Sequence, residues 1–241
     1  MPTALMLASE GGGITVNGPL VVTSFDLFGM TFNLTESIIV QWLVMLILLV
    51  VILILTHNMK VVPETKRQAA AEWIVEFARS MVDGTMGAKY GAYIPYIMTL
   101  LCFIMISNLM GLLGLRNPTA DVSVTGTFAI MTFFLVQYNR AKTGKAKGYF
   151  KSFIEPLPFM LPFNIIGEFA NPLALALRLF GNMTAGTVIN ALIYFALDQV
   201  LVPVLVPAIT SLYFDIFSAV MQAYIFCMLT MSYISSADCE E

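Results

Sequence analysis

Charge is what this sequence has least of. Only 11% of its 241 residues are Asp, Glu, Lys or Arg, against about a quarter in an ordinary globular domain. Histidine is down to one residue, His57, which argues against a Ser-His triad, an H-E-x-x-H zinc site or a paired-histidine haem site. The three cysteines, Cys102, Cys227 and Cys239, show no paired or metal-ligand spacing. No basic tract is interleaved with aromatics and the formal net charge is only −3, so nothing points to nucleic acid. A glycine-rich phosphate loop is missing as well, so no nucleotide is expected on this chain, and no other cofactor either. There is no internal repeat and no low-complexity segment. What is abundant is apolar surface, at 59% of residues. A chain of this length could bury one sizeable core in water, but so few charges could not keep the rest dissolved. The composition describes an integral membrane protein.

The gaps between charges lay out the spans. Residues 1–36 are mixed and carry Gly11-Gly12-Gly13, the pattern of a flexible arm. Residues 37–56 are free of charge and match the roughly 20 residues a transmembrane helix needs. The run begins too late for a signal peptide, has no basic leader and no small-residue cleavage site, so it reads as a retained helix. Residues 68–86 put Trp73, Phe77 and Met81 at i, i+4 and i+8, with Glu72, Glu76, Arg79 and Asp83 elsewhere. That is an amphipathic helix too polar to span, expected to lie along the membrane interface. Two more spans follow at 90–115 and 120–139, and then a basic stretch at 140–155 that reads as a solvated loop. Lys60, Lys66 and Arg67 follow the first span, and Arg140, Lys142, Lys145, Lys147 and Lys151 follow the third. The rule that basic loops stay inside then places the N-terminus outside and the C-terminus in the cytoplasm.

The C-terminal third holds two much longer runs, 156–197 and 199–237, broken only by Glu168, Arg178 and Asp215. Each would be about 60 Å long as a helix, twice the roughly 30 Å hydrocarbon thickness. Trimmed by prolines, they read as two long, strongly tilted helices over 158–197 and 200–237, forming a hairpin. The fold expected is a single all-α membrane domain with about five transmembrane helices and one interfacial helix.

Arg178 sits ten residues from Glu168 and twenty from Asp198 in an apolar setting. An arginine there costs at least ~2.5–3.5 kcal/mol. It can snorkel to an interface, form a structural ion pair with Glu168 or Asp215, or serve as a functional charge. On a helical projection Asn171, Ala174, Arg178, Asn182 and Ala185 fall within about 40° of one line. Small residues beside the arginine leave room for another helix. Ser211, Asp215, Ser218 and Gln222 form a second polar stripe on the next helix. Folding the hairpin at residue 200 brings Arg178 level with Gln222, and Thr187 near Asp215. An arginine, an amide and a carboxylate along one seam speak for an ion pathway rather than a packing core.

The segment PLALALRLFGNMTAG at 172–186, followed by MQAYIFCMLT at 221–230, resembles subunit a of the F-type ATP synthase membrane sector in its bacterial form. NLMGLL at 108–113 and PTADVSVT at 118–125 look like the same family's third- and fourth-helix segments, and the resemblance covers roughly residues 35–237. It implies that Arg178 is the arginine facing the rotating ring of c subunits, with Asn182 and Gln222 as its polar neighbours. Asn108, Asp121 and Ser123 match positions lining the outer half-channel, and Glu168 matches an acidic residue on the inner side. Ser218 shares the stripe of Asp215. Thr187 is a departure, since many members carry Glu or His there; here the titratable group of that pair is Asp215 alone.

The resemblance further implies a non-catalytic stator subunit in the bacterial plasma membrane. Its partners would be the c-ring, the peripheral-stalk b subunits, the remaining synthase subunits and membrane lipid, and its cargo H⁺ or Na⁺. The rival reading, an ion-coupled secondary transporter, predicts inverted repeats and paired broken helices that the sequence does not display. An intramembrane protease would need a nucleophile–base pair, which a lone loop histidine does not supply.

Overall fold

The computed structural model describes residues 21–27, 30–57, 59–60, 65–113, 115–154, 159, 161–197 and 205–237. The Gly11–Gly13 arm and the turn near Asp198 lie outside them. The described chain is helical apart from one short hairpin. Strands β1 (Val21–Leu27) and β2 (Met30–Thr35) pair antiparallel, from Leu27 opposite Met30 out to Val21 opposite Thr35. The sequence reading took 1–36 as one irregular arm, and the hairpin was not foreseen. Six α-helices follow among the described residues: α1 (Glu36–Thr56), α2 (Lys66–Thr85), α3 (Ile94–Leu109), α4 (Val122–Ile154), α5 (Leu161–Leu197) and α6 (Leu205–Ser236). Short 3₁₀ turns cover Ala88–Tyr93, Met110–Leu113 and Pro118–Ala120.

Among the described residues, four stretches are long and apolar enough to cross a membrane: Glu36–Thr56, Ala88–Leu113, Leu161–Ile189 and Ile216–Ser236. A helix satisfies its own backbone groups, which is what hydrocarbon demands of any spanning segment. The stretch expected to span at 120–139 is helical but is not among those four. Ser123, Thr125, Thr127, Thr132, Gln137 and Asn139 dilute its apolar character. The basic segment expected as a loop over 140–155 instead continues α4 to Ile154. Lys, Arg and Ala are good helix formers, so positive charge places a segment outside hydrocarbon without unwinding it. Helices α5 and α6, at 37 and 32 residues, are about 55 and 48 Å long at 1.5 Å per residue. Pro162 sits in the first turn of α5, where its missing N–H costs no helical bond.

The chain divides into two compact units. The first takes the described residues of Met1–Ile54, Cys102–Asp121 and Leu179–Ala223. Its buried residues include Val40, Val44, Ile104, Met110, Leu179, Met183, Ala219 and Ala223. Helix α1 commits only the stripe Ser37, Val40 and Val44 to this core. Trp42, Leu46, Leu49 and Leu53 stay more than half exposed, as side chains facing lipid or another subunit would be.

The second unit takes the described residues of Leu55–Leu101, Val122–Arg178 and Tyr224–Glu241. Ile97, Phe226, Cys227, Met231 and Ile234 are fully or almost fully buried in it. The rings of Phe128 and Phe226 meet edge-on, and those of Phe133 and Phe169 stack at 5.5 Å between centroids. Helix α2 packs through Gln68, Ala71, Ala78, Met81 and Val82. Of the apolar face read from periodicity, only Met81 is buried; Trp73 and Phe77 stack on each other at the exposed surface. Ala71 and Ala78 on the packed face let backbones approach closely. The buried Gln68 is fully used: its amide donates to Glu72 Oε1 and to the Lys60 carbonyl, and accepts from the Lys60 N–H.

Helix α2 ends where Gly87 takes φ +89° and ψ 162°, a backbone region essentially reserved for glycine. A side chain there would meet no neighbouring atom, so only backbone strain opposes one. Gly87→Ala is therefore expected to destabilise the protein by about 1–3 kcal/mol. Thermal denaturation in detergent checks this, and an unchanged midpoint would contradict it.

Candidate functional site

In the first unit, polar side chains gather at two places. One is the seam of α5 and α6, where Asn182 Nδ2 donates to Gln222 Oε1. Gln222 is 2% exposed, and its own Nε2 has no partner among the described residues. A buried amide that gives its oxygen to a neighbour and keeps an unused N–H is costly unless something else accepts from it. A fold point at residue 200 would put Asn182 opposite Ser218, so its observed partner Gln222 lies one helical turn further along α6. Thr187, partly exposed, turns its hydroxyl back onto the Thr184 carbonyl at 2.8 Å. Ser218 is partly exposed as well. Asp215 lies within α6, and its side chain falls outside the described residues.

The other place is the end of α3 with the turn that follows. Asn108, 2% exposed, accepts a 2.5 Å hydrogen bond from the Thr119 hydroxyl, while its Nδ2 stays unpartnered among the described residues. Asn117 sends Nδ2 towards Met183 Sδ at 3.6 Å. Gly111 makes room for it, because a Cβ there would stand 2.8 Å from Asn117 Oδ1. Asp121 is partly exposed, and its N–H donates to the Pro118 carbonyl at 3.1 Å. Asn117 and Thr119 were not singled out in the sequence. Their place beside NLMGLL and PTADVSVT was the available signal.

In the second unit, Glu168 on α5 is held at both carboxylate oxygens. Oε1 accepts from Gln137 Nε2 at 2.7 Å and Oε2 from Arg140 Nη1 at 2.6 Å. The ion pair is largely buried, with side-chain exposures of 14% for Arg140 and 13% for Glu168. Arg140, read from sequence as one of a solvated basic cluster, is thus the partner of the acid. One residue earlier, the buried Asn139 donates through Nδ2 to the Ile234 carbonyl at 2.9 Å. Neighbouring residues of α4 therefore bind both α5 and α6. A cleft beside the pair is lined in part by Asn171, Pro172, Tyr233 and Ser236. Ser123 is exposed in the first turn of α4, where its carbonyl accepts from Thr127 Oγ1 at 2.7 Å.

Arg178 lies on α5 within the spanning stretch Leu161–Ile189. It is exposed, and among the described residues it forms no ion pair. Glu168, one of the two acids that a structural pair would use, is occupied by Arg140. An unpaired arginine on a helix otherwise apolar enough to span is disfavoured against lipid unless it snorkels to an interface or meets a polar partner. No group of three or more His, Cys, Asp or Glu side chains among the described residues could hold a metal ion.

The comparisons with known proteins agree with one another. Residues 38–235 match the family described as ATP synthase A chain. The chain is similar to a protein of Propionigenium modestum described as ATP synthase subunit a, sodium ion specific. That likeness is 39% identity over 222 residues, covering 86% of this chain and 75% of that protein. It is similar also to ATP synthase subunit a of Bacillus velezensis, 38% identical over 233 residues, and of Bacillus subtilis, 36% identical over 233 residues. Each of these two matches covers 88% of this chain and 95% of the relative. With the family pattern running through all six helices, the chain belongs to the ATP synthase A chain family.

Proposed function

We propose that the chain is the ion-conducting stator subunit of a rotary ATP synthase, offering two offset half-channels to carboxylates on a ring of c subunits. Arg178 carries this reading, as an exposed charge on a spanning segment with no ion-pair partner among the described residues. A ring carboxylate is neutral while it faces lipid, because a bare charge in hydrocarbon is prohibitive. Beside Arg178 the opposite charge favours the ionised form, and the ion is released. It leaves by an inner path at Glu168, and a new one enters by an outer path at Asn108, Asp121 and Ser123. Arg178 stands between the paths, so an ion crosses only if the ring turns. Asn182 and Gln222, bound to each other one turn along α5 from the arginine, supply the polar lining there. Asp215, Thr187 and Ser218 extend that lining on the outer side.

The cargo is a small cation, H⁺ or Na⁺. Rotation drives ATP formation on other subunits, with the peripheral-stalk b subunits holding this one still. The positive-inside distribution of Lys and Arg supports an N-terminus outside and a C-terminus in the cytoplasm of a bacterial plasma membrane.

A cross-link tests the ring contact. Gly181 is exposed, and a Cβ there meets nothing within 4 Å. Gly181→Cys, in a background without other cysteines, is expected to form a disulfide with cysteines placed beside the ring carboxylate and to stop ATP-driven rotation until reduced. A complex that assembles fully but yields no such cross-link would overturn the reading.

A further inference from the structure

We infer that Arg140 is a positioning residue of the inner ion path, fixing the Glu168 carboxylate at the edge of the cleft between α4, α5 and α6. The inference rests on the reading of Glu168 as part of that path. Three observations carry it. Arg140 and Gln137 take one carboxylate oxygen each, at 2.6 and 2.7 Å, so the acid is fixed in direction as well as in place. Charge-assisted bonds of this kind are roughly twice as strong as neutral ones. Next, Pro172 stands four residues after Glu168. A proline has no N–H to return to the carbonyl at i−4, which leaves the Glu168 main-chain oxygen beside its own carboxylate without that helical bond. Finally, Asn171, Tyr233 and Ser236 complete the wall with further groups able to hold water. Acceptors oriented around one small cleft suit a passing cation, or the water that carries a proton. Without Arg140 the carboxylate would be held by Gln137 at one oxygen alone, and misplacement by about 1 Å can cost a relay up to some 100-fold in rate.

The bland account is a structural ion pair that ties α4 to α5, and the test must separate the two. The complete membrane sector, freed of its nucleotide-binding part, is placed in vesicles. Passive ion conduction under an imposed potential is then divided by the amount of assembled complex. Arg140→Gln is expected to lower conduction per complex about tenfold, Glu168→Gln as much, and the double variant no further, because both act through one carboxylate. Arg140→Lys should recover part of the loss, since it keeps the charge but not the planar fork. If Arg140→Gln fails to assemble, the exchange Arg140→Glu with Glu168→Arg decides the matter. It restores the pair but moves the acid to α4, and should assemble while conducting no better than Glu168→Gln.

Full conduction in that exchange, independent additive losses in the double variant, or normal conduction per complex in Arg140→Gln would each leave the pair structural only. Normal conduction in Glu168→Gln would instead remove Glu168 from the ion path and overturn the underlying reading.

Discussion

Arg178→Ala is expected to abolish ion-driven ATP synthesis while the complex still assembles. The two halves of that result rest on different observations. Assembly should survive because Arg178 is exposed and forms no ion pair among the described residues, so its loss strands no described acid. Glu168, the nearer acid, keeps its own partner in Arg140. Synthesis should fall at least about 100-fold, the scale on which removing one preorganised polar group from a water-poor site is felt. On the proposed mechanism, alanine removes both the attraction that draws the ring carboxylate into its charged form and the barrier that keeps the half-channels apart. Lysine is the sharper substitution. It restores a positive charge but lacks the planar fork and loses its proton more readily when desolvated, so Arg178→Lys should remain a poor synthase. Vesicles containing the purified variants, driven by an imposed ion gradient, give the measurement. Normal synthesis in the alanine variant would refute the role, and failure of the variant to assemble would move Arg178 into the structural class.

The parts of this molecule that could be read from sequence are those the bilayer dictates. Hydrocarbon tolerates neither unpaired backbone groups nor bare charge, so charge-free runs near 20 residues located α1 and the Ala88–Leu113 segment to within two residues at each end. The two long C-terminal helices were legible for the same reason. Charge, however, reports depth and not secondary structure. The Lys- and Arg-rich stretch after Asn139 was read as a loop, yet its residue types favour a helix and α4 continues through it. The β1–β2 hairpin shows the opposite lapse. Runs holding Thr and Phe on either side of Phe28-Gly29 were a usable strand signal, which the reading of a flexible arm did not take up.

Pairings between distant residues were the least accessible. A fold point at residue 200 sets Arg178 level with Gln222, whereas the hydrogen bond to Gln222 comes from Asn182, one helical turn further along α5. Nothing of that kind constrained Arg140 to Glu168. Twenty-eight residues separate them, and the chain between them includes the end of one helix and the start of another. Periodicity likewise misjudged α2, where Gln68, Ala71, Ala78 and Val82 join Met81 on the packed face while Trp73 and Phe77 stay exposed.

Asp215→Asn should slow ion-driven synthesis about 100-fold, within the range that positioned proton transfer contributes, and should remove a titration step from the dependence of rate on outer pH. Asp215 lies in α6, seven residues before Gln222 on the polar stripe that also holds Ser218. In the antiparallel hairpin expected from the sequence, the Asn182–Gln222 bond would set residue 215 level with residue 189, half a turn beyond Thr187. Thr187 spends its hydroxyl proton on the Thr184 carbonyl and has no carboxylate of its own, so an ion entering beside it depends on the acid across the seam. Asparagine keeps the shape and hydrogen-bonding reach of Asp215 while removing its charge and its proton. A purely structural aspartate would therefore tolerate the change, with unaltered rate and pH profile in reconstituted vesicles, and that outcome would take Asp215 out of the ion path. Thr187→Glu in the Asp215→Asn background completes the argument. If one carboxylate on the seam is what the outer path requires, moving it about half a turn along and across to α5 should recover part of the lost synthesis. No recovery, in a variant that assembles and retains ATP hydrolysis, would show that the acid must stand on α6.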